Sequence, residues 1–281
     1  MLELPEVEVL RKDLEREIVG KRIKEADVQV AKIVKPFHHT RPQFHDALAG
    51  RKVEAVRRRG THLFIDLDEG MTWLLSPGEN ASVHRETMNE PPGPDTDVVV
   101  TFTTGGAIHV TDPSKGESCH MGVVPTDEAE GAAGLSDDAL DMVEESPTWI
   151  AFAERLRAAA GPLKLLLMNE EHFLGIGTVY SDEALFEAGL SHDRSSETLS
   201  TQEVRRLHRA IQEVLQAAIK QRGSSLDDAA PDEAFDEEGD PVEHLRVYGR
   251  EGLPCLRCRR TVVLTKVKGK ISTYHCERCQ I

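Results

Sequence analysis

Apolar residues follow two different spacings along the first half of the chain. Between residues 5 and 19 they recur at helical intervals with charges between them, and Gly20 follows as a natural stop, which predicts an amphipathic helix. From about residue 22 to 111 they fall in short β-rich runs separated by Gly, Pro and Asp turns. That pattern is typical of a sandwich. The helical positions are Val7, Leu10, Leu14 and Ile18, and the β-rich runs include VEAV, HLFIDL, MTWLL, VVVTF and AIHVT.

The second half of the chain carries helical patterns instead. Segments near 149–159, 162–169, 179–188 and 200–221 have apolar residues at helical spacing. We therefore predict a multi-domain α+β protein. Its parts are an N-terminal β-sandwich lobe with a flanking helix over 1–125, an acidic linker over 126–147, a helical lobe with an acidic loop over 148–243, and a four-cysteine finger over 244–281.

Composition sets the cellular context that we expect. Charged residues make up 30% of the chain, and the sequence contains no apolar run near the roughly 20 residues that a membrane helix needs. The first residues show no basic flank followed by an apolar segment and a cleavage site, so we expect no secretory signal. We predict a soluble, monomeric, cytoplasmic protein that does not bind membranes.

The formal net charge of −15 argues against a nucleic-acid partner if the charge is spread evenly. The charge is not spread evenly. Residues 1–62 hold 14 Lys and Arg against 10 Asp and Glu, and residues 243–281 hold nine Lys and Arg against three Asp and Glu. The acidic excess lies mainly in residues 87–147 and 226–243. We interpret these two stretches as solvated loops that leave basic surface available at both ends of the chain.

Four of the five cysteines form two CxxC pairs near the C-terminus. Cys255 and Cys258 are followed, after 17 intervening residues, by Cys276 and Cys279, a spacing typical of a four-thiolate zinc site. The run between the pairs alternates like two strands around Gly269, so one structural Zn²⁺ per chain would pin a small β-hairpin. A zinc ribbon used for protein contacts has the same spacing. The basic residues of this region favour phosphate instead: Arg257, Arg259, Arg260, Lys266, Lys268, Lys270 and Arg278.

Residues 161–190 predict a short helix, a glycine-rich turn and a second helix. Backbone N–H groups at Gly175, Gly177 and the start of the second helix could bind an anion, and Lys164 could add a positive charge. These features together would form a phosphate clamp. Taken alone, the same pattern favours an ordinary helical hairpin in which the glycines serve packing.

Three segments together carry a family resemblance: ELPEVEVLRKDLEREIVGKRI, GIGTVYSDEALFEAGL and VYGREGLPCLRC with CERCQ. Over nearly the full chain they resemble the formamidopyrimidine-DNA glycosylase / endonuclease VIII family. The resemblance implies a β-sandwich lobe, a helix-two-turn-helix and a zinc β-hairpin, with DNA in the cleft between the lobes. It also implies base excision repair. In that reaction an N-terminal proline amine attacks the sugar C1′ of an oxidised nucleotide, a Schiff base forms and the strand is nicked by AP lyase chemistry.

The resemblance assigns roles to individual residues. Glu3 matches the family's catalytic glutamate, and Glu6 matches the second acidic residue of that motif. Leu2 stands where the nucleophilic proline belongs, so we expect Met1 to be retained and its amine to be the candidate nucleophile, displaced by up to about 3.6 Å. The expected nucleic-acid-binding residues are Lys164, Gly175, Gly177, Thr178, Tyr248, Arg250 and Lys270.

Other positions also depart from the family pattern. Thr61 or His62 occupies the place of a phosphate-binding lysine, and Thr178 replaces an asparagine. The element that fills the gap left by a flipped base reads Asp112-Pro113-Ser114-Lys115-Gly116-Glu117, without its Arg and Phe. Lys270 lies one position away from the hairpin arginine.

Three hypotheses follow from these observations. The first is an atypical DNA glycosylase / AP lyase in which Glu3 transfers protons and the terminal amine is the nucleophile. The second is a binding protein without lyase activity that recognises damaged or distorted DNA, or structured RNA, with the same fold. The third is an interaction module whose acidic loops meet a basic protein. We favour the glycosylase family as the functional class, with atypical or weak catalysis.

Overall fold

A computed structural model describes residues 2–78, 81–86, 92–222, 245–267 and 271–281, and the chain divides into two units. The first unit contains Leu2 and Glu6–Leu135, and the second contains Glu3–Pro5 and Ser136–Ile281. Met1, the predicted acidic loop at 226–243 and the predicted turn around Gly269, with Lys268 and Lys270, lie outside the described residues.

The first unit is built from two antiparallel four-stranded sheets, in the orders β1-β6-β7-β5 and β2-β3-β4-β8. Its strands are β1 (Ile23–Val28), β2 (Val53–Arg59), β3 (His62–Leu67), β4 (Met71–Ser76), β5 (Ser82–Glu86), β6 (Val98–Phe102), β7 (Ala107–Thr111) and β8 (His120–Pro125). Its helices are α1 (Leu4–Ile18), which begins in the second unit, α2 (Arg41–Leu48) and α3 (Ala129–Ala132).

One apolar core joins both sheets of the first unit. Val98 and Val100 of the first sheet share this core with Ile65 and Trp73 of the second. Val98 and Val100 alternate with half-buried neighbours along β6, as expected when a strand buries one face. Both sheets face one core, so the predicted β-sandwich is confirmed.

The predicted acidic linker is partly folded. A 3-10 turn at Thr126–Glu128 leads into α3, and buried Ala129 packs with Phe64 and Leu74. The division between the units falls after Leu135. Residues 126–135 therefore belong to the first unit, because small apolar residues within the acidic sequence pack on its sheet.

The second unit is helical and ends in a β-hairpin. Its elements are α4 (Trp149–Ala158), α5 (Leu163–Leu167), α6 (Thr178–Ala188), α7 (Thr201–Arg222), β9 (Val263–Val267) and β10 (Ile271–His275). The buried face of α7 includes Val204, Leu207 and Ile211, at the spacing that the sequence predicts. The β9–β10 pair is antiparallel, with Thr273 opposite Thr265.

The hairpin module, residues 245–267 and 271–281, has little apolar core of its own. Besides cysteines, the buried residues of its cluster are Val247 and Val262, together with Phe186 of α6. So small a cluster is a weak source of folding free energy, which is why modules of this size commonly depend on a metal.

No helix within the described ranges has the length and apolarity needed to span a bilayer.

Candidate functional site

The carboxylate of Glu3 is held by backbone N–H groups at the start of α6. Gly177 N and Val179 N each donate to it at 2.8 Å, and Tyr180 N donates at 3.2 Å. Glu3 is 2% exposed. The first N–H groups of a helix have no partner within the helix, and the helix dipole favours negative charge there. This arrangement, the Glu3 cradle, therefore stabilises an ionised carboxylate in a fixed position.

Two glycines make this close approach possible. A Cβ atom at residue 177 would lie 2.5 Å from Oε1 and from Cδ of Glu3, so a side chain there would displace the carboxylate. Gly175 has φ +68°, in the left-handed region that favours glycine, and its carbonyl accepts a hydrogen bond from Leu4 N at 2.8 Å. The glycine-rich turn thus serves contact with the N-terminal segment.

The anion at this helix terminus belongs to the protein itself. The sequence predicts a phosphate clamp from the N–H groups of Gly175, Gly177 and the start of this helix. In the structure Gly177 N and Val179 N bind Glu3. The sequence correctly suggested an anion site, but the distance along the chain concealed which anion fills it.

Lys164 requires a correction, because it is not an exposed phosphate-binding cation. Its side chain has 0% exposure, and Nζ donates to the Thr178 carbonyl at 2.7 Å and to Asp182 Oδ1 at 2.8 Å. Burial lowers the pKa of Lys164, while Asp182 opposes that shift. An ammonium with two internal partners and no exposed surface cannot meet a phosphate without leaving the interior.

Sequence reasoning missed two adjacent carboxylates on α6. Asp182 accepts hydrogen bonds from Thr273 Oγ1 at 2.6 Å and from Tyr274 N at 2.8 Å, in addition to Lys164. Glu183 accepts from the backbone N–H groups of residues 246, 247 and 248 at 2.8 to 2.9 Å. Both side chains are buried. The sequence signal for these two carboxylates was a pair of adjacent acids within an apolar helical pattern. That segment contains no Lys or Arg with which they could pair.

Three further candidates lie in two places. Thr178 is the first residue of α6, and Tyr248 and Arg250 lie in the segment that precedes β9. A side-chain hydrogen bond joins Thr178 to Tyr248, and burial raises the pKa of the Tyr248 hydroxyl. The Tyr248 ring packs edge-on against Tyr274, with 4.8 Å between centroids. Arg250 is half-buried and donates to the Pro254 carbonyl, and its Nε has no partner among the described residues. Arg250 remains our leading candidate for a phosphate contact.

The first unit places the remaining catalytic candidates differently. Leu2 is 8% exposed and its side chain is part of the sandwich core. Glu6 is buried in the first turn of α1. Met1, the candidate terminal amine, lies outside the described residues.

His62 does not restore the missing cation of the first unit. Burial lowers its pKa to about 4, so the ring is neutral at pH 7. Its Nδ1 is buried and has no partner within the described part of the chain. At neutral pH His62 therefore supplies no positive charge in place of the missing lysine.

The Asp112–Glu117 segment forms a turn organised around Asp112. This carboxylate accepts from Ser114 N at 2.9 Å and from Gly116 N at 2.7 Å. Burial opposes ionisation, but hydrogen bonds from Ser114 and Gly116 hold the pKa of Asp112 below its usual value. Lys115 pairs with Asp97 at 2.7 Å and Glu117 pairs with Lys32. The charges of this turn therefore have partners within the first unit.

The four cysteines fit a tetrahedral metal ion. Their Sγ atoms all lie within 4.8 Å of one another, with 3.9 Å between those of Cys255 and Cys279 and 3.4 Å between those of Cys258 and Cys276. Zinc–sulfur bonds of about 2.3 Å in a tetrahedron require sulfur separations of about 3.8 Å. The N–H of Arg260 lowers the pKa of Cys258 to about 7, whereas burial raises that of Cys279 to about 12. A divalent cation would stabilise all four thiolates.

The arginines of the finger divide into two groups. Arg257 donates to the Phe186 carbonyl at 2.9 Å, pairs with Glu187 and lies over the Phe186 ring, so it anchors the module to α6. Arg259, Arg260 and Arg278 are exposed. The side chain of Lys266 and all of Lys270 lie outside the described residues.

Family models match most of the chain. The formamidopyrimidine-DNA glycosylase N-terminal domain matches residues 1–119, and the formamidopyrimidine-DNA glycosylase H2TH domain matches residues 138–229. The first match covers the β-sandwich strands up to β7, and the second covers α4 to α7.

Full-length relatives agree with the family models. The formamidopyrimidine-DNA glycosylase of Pelotomaculum thermopropionicum is 32% identical over 280 residues, covering 100% of this chain and 99% of the relative. That of Chloroflexus aggregans is 34% identical over 290 residues, covering 100% and 99%. The crystal structure of the Lactococcus lactis enzyme bound non-covalently to DNA containing an AP site has a TM-score of 0.83 and 25% identity, with 99% of each chain covered.

Proposed function

The chain belongs to the formamidopyrimidine-DNA glycosylase family, and from this premise we propose that it binds duplex DNA carrying an abasic site or an oxidised base. Crystal structures of the Lactococcus lactis relative contain DNA with an abasic site. We also propose that catalysis is atypical, because the proline nucleophile of the family is replaced.

The observation that carries this proposal is the Glu3 cradle. Three backbone donors and a helix terminus hold one carboxylate in place, and Gly177 leaves space for it. A carboxylate used for proton transfer must be fixed relative to its substrate, and a positioned general acid–base group contributes about 10² to 10⁴-fold to a rate. Such a costly arrangement for a buried charge supports a role in proton transfer for Glu3.

Leu2 supports weak lyase chemistry. A leucine supplies no secondary amine, and the Leu2 side chain is packed in the sandwich core. The turn at Asp112–Glu117 lacks the Arg and Phe of the family element, and Lys115 is paired with Asp97. Flipping a base costs a few kcal/mol, which relatives offset partly with gap-filling side chains. We therefore expect recognition of damage to exceed catalysis, with the non-catalytic binder as the limiting case.

We further propose that Cys255, Cys258, Cys276 and Cys279 bind one structural Zn²⁺. The sulfur separations and the small apolar core of the module support this assignment. All four ligands are cysteines, so the ion would have no open position for a water nucleophile. Its contribution would be to hold the hairpin, and with it Arg250, for contact with phosphate.

Fluorescence anisotropy tests the binding proposal. Duplex DNA with a tetrahydrofuran abasic analogue should bind more tightly than undamaged duplex or structured RNA, and affinity should fall steeply with salt. Arg250→Ala should reduce the salt slope by about 0.9, as expected for one lost phosphate contact. Arg16→Ala is the matched control, because Arg16 is exposed on α1 of the first unit and pairs with Asp13. Equal affinity for all three nucleic acids would refute damage recognition.

Borohydride trapping on abasic-site DNA tests the chemistry. We expect little covalent adduct with the unaltered protein. A Leu2→Pro variant, with removal of Met1 verified by mass spectrometry, should form more adduct, and Leu2→Pro combined with Glu3→Gln should lose that gain. Efficient trapping by the unaltered protein, mapped to its N-terminus, would contradict our interpretation of Leu2. The monomeric state and cytoplasmic location remain predictions.

A further inference from the structure

Asp182 contacts two parts of the second unit. On one side it pairs with Lys164 at 2.8 Å, and on the other it accepts from Thr273 Oγ1 and from Tyr274 N, both in β10. Asp182, Lys164 and Thr273 are all at most 1% exposed. The carboxylate therefore joins the hairpin module to the interior of the helical region.

Lys164 extends this connection to the Glu3 cradle. Its Nζ donates at 2.7 Å to the carbonyl of Thr178, the first residue of α6. Thr178 lies between Gly177 and Val179, whose N–H groups bind Glu3. Three consecutive contacts thus run from β10 through Asp182 and Lys164 to the peptide units that hold Glu3.

β10 is directly joined to the proposed metal ligands. The strand ends at His275, and Cys276 follows. A metal bound by the four cysteines would restrict β10 and therefore the positions of Thr273 and Tyr274. We propose that Asp182 is a positioning residue through which metal binding in the hairpin module stabilises the Glu3 cradle.

The energetics of buried charges agree with a positioning role. A buried ion pair is weak evidence for stability, since well-packed apolar residues of similar volume are often as stable. The Lys164–Asp182 pair, however, also satisfies Thr178, Thr273 and Tyr274, which belong to different elements. In some proteins, buried polar groups of this kind specify which segments meet and in what register. The inference rests on the proposed role of Glu3.

Amide hydrogen exchange on the full chain without DNA measures this coupling directly. Val179 and Tyr180 lie in the first turn of α6, where N–H groups have no partner within the helix, so their protection reports on the bond to Glu3. Stripping the metal with a chelator should speed their exchange by between about 5-fold and 150-fold, the usual range of coupling between sites. Restoring zinc should reverse the change.

Thr273 variants separate the Asp182 link from metal binding. Thr273→Val removes one hydroxyl and should speed exchange at Val179 and Tyr180 while the chain keeps one zinc by metal analysis. Thr273→Ser should restore protection. Glu213→Gln is the matched control, because Glu213 is exposed on α7 and pairs with Arg209, so both amides should be unchanged.

Several results would overturn the inference. Unchanged exchange at Val179 and Tyr180 after metal removal would show that the module and the cradle are independent. An equal effect of Glu213→Gln, or an equal loss of protection throughout α7, would show general loosening instead of a specific link. The metal experiment needs no variant, so it decides even if Thr273→Val fails to fold. Because DNA is absent, the outcome is separate from whether the protein binds or cleaves damaged DNA.

Discussion

Two buried carboxylates, one in each unit, are satisfied in opposite ways. Asp112 collects the N–H groups of Ser114 and Gly116, two and four positions along the chain. Glu3 collects N–H groups from a helix 174 or more positions away. Both are well hydrogen-bonded, but Asp112 organises its own turn, whereas Glu3 is carried to a helix terminus in another part of the sequence.

The comparison separates a structural carboxylate from a candidate catalytic one. A local turn of Asp, Ser and Gly forms wherever the chain needs to reverse, and it needs no wider architecture. A long-range cradle requires a helix terminus, a glycine for close approach and a buried ion pair beneath it. We expect substitutions in the cradle to be more costly than those in the turn.

Removing the positive charge of Lys164 should have the largest effect on stability. Lys164→Met leaves Asp182 buried without its counter-ion and should lower the free energy of unfolding by about 3 to 5 kcal/mol, measured by urea denaturation. Lys164→Met combined with Asp182→Asn should recover most of this loss, because the amide oxygen can accept from Tyr274 N while the amide NH2 group can donate to Thr273 Oγ1. A single variant as stable as the parent chain would show that the pair is not buried as described.

Gly177→Ala should break the cradle directly. The new Cβ would lie 2.5 Å from the Glu3 carboxylate, which must move away from its three donors. We expect a loss of about 2 to 3 kcal/mol in urea denaturation, together with faster exchange at Val179 and Tyr180. Gly131→Ala is the matched control, since nothing lies within 4 Å of its added Cβ. Equal stability of the two variants would argue against close contact at residue 177.

Lowering the pH should reduce the free energy of unfolding of the first unit because of His62. Burial lowers the pKa of His62 from 6.5 to about 4, so the unfolded chain binds more protons between these values. This contribution to stability is fully present above pH 6.5 and is lost as pH falls towards 4. At pH 5 the loss should be about 2 kcal/mol relative to pH 8. His62→Phe should flatten the pH profile by that amount, and an identical profile for both proteins would place His62 in solvent.

The smallest effect belongs to the local turn. Ser114→Ala removes the hydroxyl that donates to Asp112, while the backbone bonds from Ser114 N and Gly116 N remain. We expect a loss of about 1 kcal/mol and no change in affinity for abasic DNA. Ser191→Ala, which removes an exposed hydroxyl bonded to Asp193, should change stability by less than about 0.5 kcal/mol. A large drop in DNA affinity for Ser114→Ala would reassign the turn to the binding surface.

Much of the fold could be predicted because its signals are local. Alternating apolar runs predict the sandwich strands, helical spacing predicts α1 and α7, and two CxxC pairs predict a metal site whose sulfurs are within reach of one ion. The acidic stretch after residue 125 favours a linker because it is acidic and rich in small residues. Ala129 nevertheless packs on the sheet, and composition averaged over a segment conceals such a contact.

The sequence by itself determined the sandwich strands, the longer helices, the metal-ligand spacing and the glycine-rich turn, because each depends on residues close together along the chain. The short helices α2 and α3 lie in stretches that the sequence predicts as β-rich or as linker. The tertiary structure decided which groups those elements meet. It showed that the anion at Gly177 is Glu3, that Lys164 is neutralised by Asp182, and that Leu2 is a core residue. Packing and desolvation of the whole unit decide which groups pair when they are far apart along the chain. The partner of a buried charge is therefore known only from the tertiary structure.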